Sequence, residues 1–106
     1  MVQTTKQRRS PKVDKIIREL RASLPTIRKS YGINRLSIFG SYVRKEEREK
    51  SDLDLLVEFD RAPTLFEFVR LKRHLTEILG IPVDLVMKKA LKPAIGRHIL
   101  EEAIPI

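Results

Sequence analysis

Ile38-Phe39-Gly40-Ser41 and, after a charged interval, Ser51-Asp52-Leu53-Asp54-Leu55-Leu56-Val57 decide how this chain is read. An apolar run ends at a Gly-Ser corner, and a second apolar run opens with two carboxylates one residue apart. In a strand, residues i and i+2 project from the same face, so Asp52 and Asp54 are expected to point into one small volume. Glycine lets a ligand approach the backbone with no Cβ in the way, and a helix starting at Ser41 would aim free N–H groups and its positive dipole end at that ligand. Such a corner favours an anion, most simply a phosphate, and Arg44, one helical turn on, adds charge. Two like charges on one face of an apolar strand repel, so a cation should sit between them; carboxylate oxygens suit Mg²⁺ or Mn²⁺. A plainer alternative stays open, in which Gly40-Ser41 and Ser51-Asp52 are turns and Asp54 is a surface residue at a strand start.

Working outward, Arg35–Phe39 reads as the first strand and Leu53–Phe59 as the second, with Leu55-Leu56-Val57 buried on both faces as in a central strand. Between them Ser41 to about Glu47 forms a helical turn or short helix, and Glu46–Lys50 a charged loop. Toward the N-terminus, Ser10-Pro11 starts a helix whose Val13, Ile16, Ile17, Leu20, Leu24 and Ile27 form one apolar stripe under a basic face. Pro25 predicts a break near Ser23-Leu24 and a second short helix, since an interior proline costs about 3 kcal/mol; Gly32 closes it. Toward the C-terminus, Thr64 caps a helix to about Leu79 with Leu65, Phe68, Val69, Lys72, Leu75, Ile78 and Leu79 along one side, and Gly80 stops it. Pro82–Val86 is a third strand, and Pro93–Glu102 a last helix burying Ile95, Ile99 and Leu100. Strands alternating with helices predict an α/β (α+β) fold, a small mixed sheet packed with helices.

The 106 residues suffice for one core and one domain, expected over 10–106 behind a disordered basic leader at 1–9. Charge is uneven: residues 1–30 carry nine Lys/Arg against Asp14 and Glu19, while the rest of the chain holds 13 Lys/Arg and 12 Asp/Glu. That basic segment is either a solvated helix face or an electrostatic footprint for nucleic acid. Cysteine is absent, which excludes disulfides and thiolate chemistry. No apolar run approaches the roughly 20 residues of a membrane span, and the N-terminus lacks a signal-peptide core, so a cytoplasmic protein is expected.

Asp84, in Val83-Asp84-Leu85-Val86, is a carboxylate inside an apolar strand and needs a partner. A nearby Lys or Arg would serve. So would the Asp52–Asp54 site, if this strand lies beside the second; three carboxylates can hold two metal ions, with Asp84 as ligand and general base.

Phe39-Gly40-Ser41-Tyr42-Val43-Arg44 with Ser51-Asp52-Leu53-Asp54-Leu55-Leu56-Val57, the later Asp84 and the ending Ile99-Leu100-Glu101-Glu102-Ala103 resembles the minimal nucleotidyltransferases of the DNA polymerase β-like superfamily. The resemblance covers nearly the whole chain. It implies nucleotidyl transfer from ATP, with Gly40, Ser41 and Arg44 on the phosphates and Asp52, Asp54 and Asp84 on Mg²⁺. It also implies a partner, a HEPN-domain toxin neutralised by binding and by adding AMP to a tyrosine; that partner or a homo-oligomer would complete the acceptor site. Val43-Arg44-Lys45 stands where such proteins commonly read Ala-Arg-Gly, and the lost glycine is expected to reshape the backbone near the phosphates. His74 is expected to be exposed on its helix, and His98 to be a surface or satisfied histidine.

Overall fold

The computed structural model describes residues 10–47 and 51–106. The expected leader at 1–9, and Arg48, Glu49 and Lys50 of the charged loop, lie outside the described residues. Helix α1 (Pro11–Tyr31) starts as its sequence dictates: the Ser10 hydroxyl accepts from the Val13 N–H at 3.2 Å, and Pro11 takes the first helical position. It ends at Gly32, whose φ of 65° is left-handed and whose N–H reaches the Arg28 carbonyl.

Contrary to the break expected at Pro25, α1 is one helix. Val13, Ile16, Ile17, Leu20, Leu24 and Ile27 are all buried, and Leu24 and Ile27 keep phase with the earlier positions only if the helix continues through the proline. Burying those two side chains contributes about 1.5–3 kcal/mol each, which offsets the missing hydrogen bond. Pro25 itself is exposed, so its ring meets solvent rather than the sheet. Pro25→Ala should therefore raise stability by about 2 kcal/mol: about 3 regained in the helix less the entropy that proline removes from the unfolded chain. Urea denaturation with an unchanged m-value would show it.

The remaining elements are β1 (Ile33–Phe39), β2 (Leu53–Phe59), α2 (Leu65–Leu79), β3 (Val83–Met87), α3 (Pro93–Glu102) and a short β4 (Ile104–Pro105). The sheet runs β3-β2-β1-β4 and is mixed: β1 pairs antiparallel with β2 and β4, whereas β2 and β3 are parallel across the α2 crossover. Period-2 alternation sorts the faces. Leu36, Ile38, Leu53, Leu55, Val57, Val83 and Leu85 join the α1 stripe in the core, while Asp54, Leu56, Asp84 and Val86 occupy the alternate positions. Leu56 is buried too, so β2 is the two-sided central strand that its sequence predicts.

Helix α2 carries a complete capping box, Thr64 accepting from the Glu67 N–H and Glu67 from the Thr64 N–H. Its inward stripe differs from the one expected. Leu71 and Leu75 are buried, with Phe68, Ile78 and Leu79 packed beside them, while Leu65 is 79% and Val69 53% exposed. Apolar residues form two overlapping stripes on this helix, and its packing against α1 and β3 selects one of them. Helix α3 departs likewise: Gly96 is buried and Ile99 partly so, but Ile95 and Leu100 are exposed. His74 is half-buried rather than exposed, its Nδ1 3.2 Å from the Tyr31 hydroxyl, which joins α2 to the end of α1. No described helix is long and apolar enough to cross a membrane.

Candidate active site

The parallel β2/β3 register pairs Leu53 with Val83, Asp54 with Asp84 and Leu55 with Leu85. Neighbouring residues in register share a face, so the apolar partners enter the core and the two aspartates meet beyond it. On the other side of β2, Asp54 pairs with Phe39, the last residue of β1 before Gly40-Ser41. Two strand pairings thus gather the Gly-Ser corner, Asp54 and Asp84 at one end of the sheet. Asp52 stands just before β2, exposed and close enough to act on Asp54 through its charge.

Burial first, then the Asp84 charge, a hydrogen bond to Asp84 and the Asp52 charge push the Asp54 carboxyl up to about 6; a hydrogen bond from the Ser41 N–H pulls the other way. These are the marks of crowded, uncompensated negative charge. Among the described residues no three carboxylates already converge to hold a metal ion. Asp54 and Asp84 are in contact, and Asp52 joins them only electrostatically. The donor set is nonetheless all oxygen and negative, and fits a hard divalent cation that would draw Asp52 inward.

At the corner, the helix expected from Ser41 is a single 3₁₀ turn, Gly40–Tyr42, too short to carry a macrodipole. What remains is a pair of backbone donors, and both face carboxylates. The Gly40 N–H donates to Glu102 Oε2 at 2.8 Å, and the Ser41 N–H to Asp54. Gly40 has φ 82°, and a Cβ there would lie 2.8 Å from Asp54 Cγ. Tyr42 is buried beneath the turn, its hydroxyl donating at 3.3 Å to the Ser51 carbonyl, which ties the corner to the residue before Asp52. Burial pushes the Tyr42 phenol up, and the charges of Glu47 and Asp52 add to this.

Arg44 lies between Glu46, 2.9 Å from its Nε, and Glu102, 2.9 and 3.0 Å from Nη1. These two carboxylates hold its guanidinium even more firmly protonated than usual, Glu46 first. Lys45, where a glycine was missed in the sequence, has φ 61° and is the one described non-glycine residue with positive φ. The backbone there adopts a conformation that glycine enters freely. Lys45→Gly should stabilise the protein by about 1 kcal/mol, measured as a rise in melting temperature.

A cleft of about 490 Å³ opens at this corner, walled by Phe39, Gly40, Arg44 and Asp54 on one side and Ile95, His98, Ile99 and Glu102 of α3 on the other. The α3 wall escaped sequence reasoning. Its spacing of Ile95, Ile99 and Glu102 fits one helical face, but nothing in the sequence says that this face looks across at Gly40.

Residues 13–106 match the nucleotidyltransferase domain family. The chain belongs to that family. Among its relatives is protein adenylyltransferase MntA of Thermococcus cleftensis, 42% identical over 85 residues that span 80% of this nucleotidyltransferase and 86% of that one. A Methanocaldococcus jannaschii protein provisionally named protein adenylyltransferase MJ0435 is 41% identical over 90 residues, spanning 85% and 97% of the two chains. A solved structure provisionally described as a minimal nucleotidyltransferase superposes with TM-score 0.74 at 40% identity, covering 87% of this chain and 94% of that one. A chain from a toxin–antitoxin crystal structure with AMP-PNP shares the fold, with TM-score 0.64 at 22% identity over 91% and 72% of the two chains. The mixed α/β fold expected from the sequence is that of these minimal nucleotidyltransferases.

Proposed function

We propose that this nucleotidyltransferase moves AMP from ATP onto a protein hydroxyl, a tyrosine of a HEPN-type toxin, and so acts as its antitoxin in the cytoplasm. The observation that carries this reading is the β2/β3 register, which sets Asp54 against Asp84 beside the Gly40-Ser41 corner. The adenylyltransferase names of relatives above 40% identity support the transferred group, and the toxin–antitoxin fold likeness suggests the partner.

In the proposed reaction the acceptor hydroxyl attacks the α-phosphorus of ATP, a new phosphorus–oxygen bond forms, and the bond to the β-phosphate breaks to release pyrophosphate. Asp84 takes the hydroxyl proton. Gly40, Ser41 and Arg44 position the triphosphate, and Ile95 and Ile99 give the cleft an apolar wall. Asp52, Asp54 and Asp84 would hold Mg²⁺, one or two ions, which supplies charge neutralisation for the phosphates and the departing oxygen. A partner, or a second copy of the chain, completes the acceptor side.

Incubation with α-labelled ATP, Mg²⁺ and the protein encoded by the adjacent reading frame should transfer label to that protein. Absence of transfer, with a correctly folded partner in hand, would refute the reading. One observation favours a second one: Leu65, Phe66 and Val69 stand exposed together at the start of α2, an apolar surface suited to neutralising a partner by contact. Toxin rescue that survives loss of both Asp52 and Asp54 would select contact over catalysis. The basic face of α1 also keeps open an RNA-binding or RNA-end transfer role; binding that does not fall with salt would exclude it.

A further inference from the structure

Glu102 makes contacts that nucleotidyl transfer does not call for. Its carboxylate takes the Gly40 N–H at 2.8 Å and the Arg44 guanidinium at 2.9 and 3.0 Å, the groups placed here on the triphosphate. A carboxylate and a phosphate ask for the same thing, converging N–H donors and a planar cation. We propose that Glu102 is an internal phosphate mimic that occupies the donors of the nucleotide site until a triphosphate displaces it. The proposal rests on the assignment of the Gly40 corner to nucleotide.

Three features make the contact a removable latch rather than a fixed support. Arg44 is 48% exposed, so water screens its side of the pairing with Glu102 and a polyanion can compete for it. The Gly40 amide is buried, so it has few routes to water and needs a partner whenever ligand is absent. Glu102 closes α3, just before the tail pairs with β1 through Ile38–Ile104 and Ser37–Pro105 and through the Ile106 N–H to the Leu36 carbonyl. Those backbone bonds anchor the tail without Glu102, so its side chain can swing out while the tail stays paired. The latch also adds a negative charge beside Asp54, which repels a triphosphate until it leaves.

Affinities for ATP and for inorganic tripolyphosphate, measured by calorimetry at constant Mg²⁺, test this. Glu102→Ala and Glu102→Gln should tighten both ligands about tenfold, and the exposed neighbour Glu101→Ala should leave them unchanged. A side chain that merely supported the corner would weaken binding when removed. Unchanged or weaker binding in both Glu102 variants, beside a parent that binds ATP, overturns the latch and leaves the nucleotide site standing. A parent and variants that all fail to bind either ligand overturn both. Should Glu102→Ala misfold, Glu102→Gln decides alone, since it keeps the shape and removes the charge.

Discussion

Asp54→Asn is expected to reduce AMP transfer by roughly two to three orders of magnitude while making the protein more stable at neutral pH. Asp54 is the central carboxylate of the site, with Asp84 beside it in the parallel register and Asp52 acting on it through its charge. Asparagine keeps the shape and can still accept from the Ser41 N–H, but it cannot neutralise a divalent cation. Losing a charge aimed at the reacting centre typically costs on the order of a hundredfold to a thousandfold in rate. Stability should move the other way, because burial and like charge hold the carboxyl at about 6 and the folded state bears their penalty whenever it is ionised. Full burial would make such a shift worth roughly 3 kcal/mol; with the side chain partly open to water, about 1 kcal/mol is the expected gain. Opposite signs of rate and stability distinguish a functional carboxylate from a structural one. A label-transfer assay with a urea titration reads both, and equal transfer by the variant would sink the assignment.

Gly40→Ala should lower stability by about 1–3 kcal/mol and weaken nucleotide binding at least tenfold. Two independent costs arise at this position. The φ of 82° is left-handed, where a Cβ strains the backbone. The added methyl would also meet the Asp54 carboxyl, lying 2.8 Å from its Cγ and 3.1 Å from its Cβ. Backbone and side chain cannot both stay, so the methyl either pushes Asp54 off its Ser41 hydrogen bond or twists the corner and re-aims the Gly40 N–H. Gly32→Ala makes the comparison clean: it has a similar φ of 65° with open space around the missing Cβ, so it should lose stability and keep nucleotide affinity. Calorimetric titration with ATP beside thermal melts would show the contrast; equal affinity losses at both glycines would mean that strain alone explains Gly40.

Much of this site was legible because its signals are local. The Gly-Ser turn and the caps at Ser10, Gly32, Thr64 and Gly80 depend on bonds a few residues apart, and all four caps form as expected. The Pro25 misreading shows the limit of that logic, since a local cost of about 3 kcal/mol yields to burial of Leu24 and Ile27 that is decided elsewhere. His74 and the exposed faces of α2 and α3 were misplaced for a related reason. Periodicity gives the spacing of a stripe but not which neighbour receives it.

The sequence by itself determined which residue types could do phosphate and metal chemistry, and the order of the main helices and strands apart from the unbroken α1 and the short β4, because period-2 and period-3.6 patterns are written within single segments. Tertiary structure decided three things. It set Asp84 against Asp54 through the parallel register of strands joined by a helix, turned α3 to form the second wall of the cleft, and laid Glu102 on Gly40 and Arg44. Each joins residues far apart in the chain. Their distances follow from how the core packs, and no run of neighbouring residues encodes that.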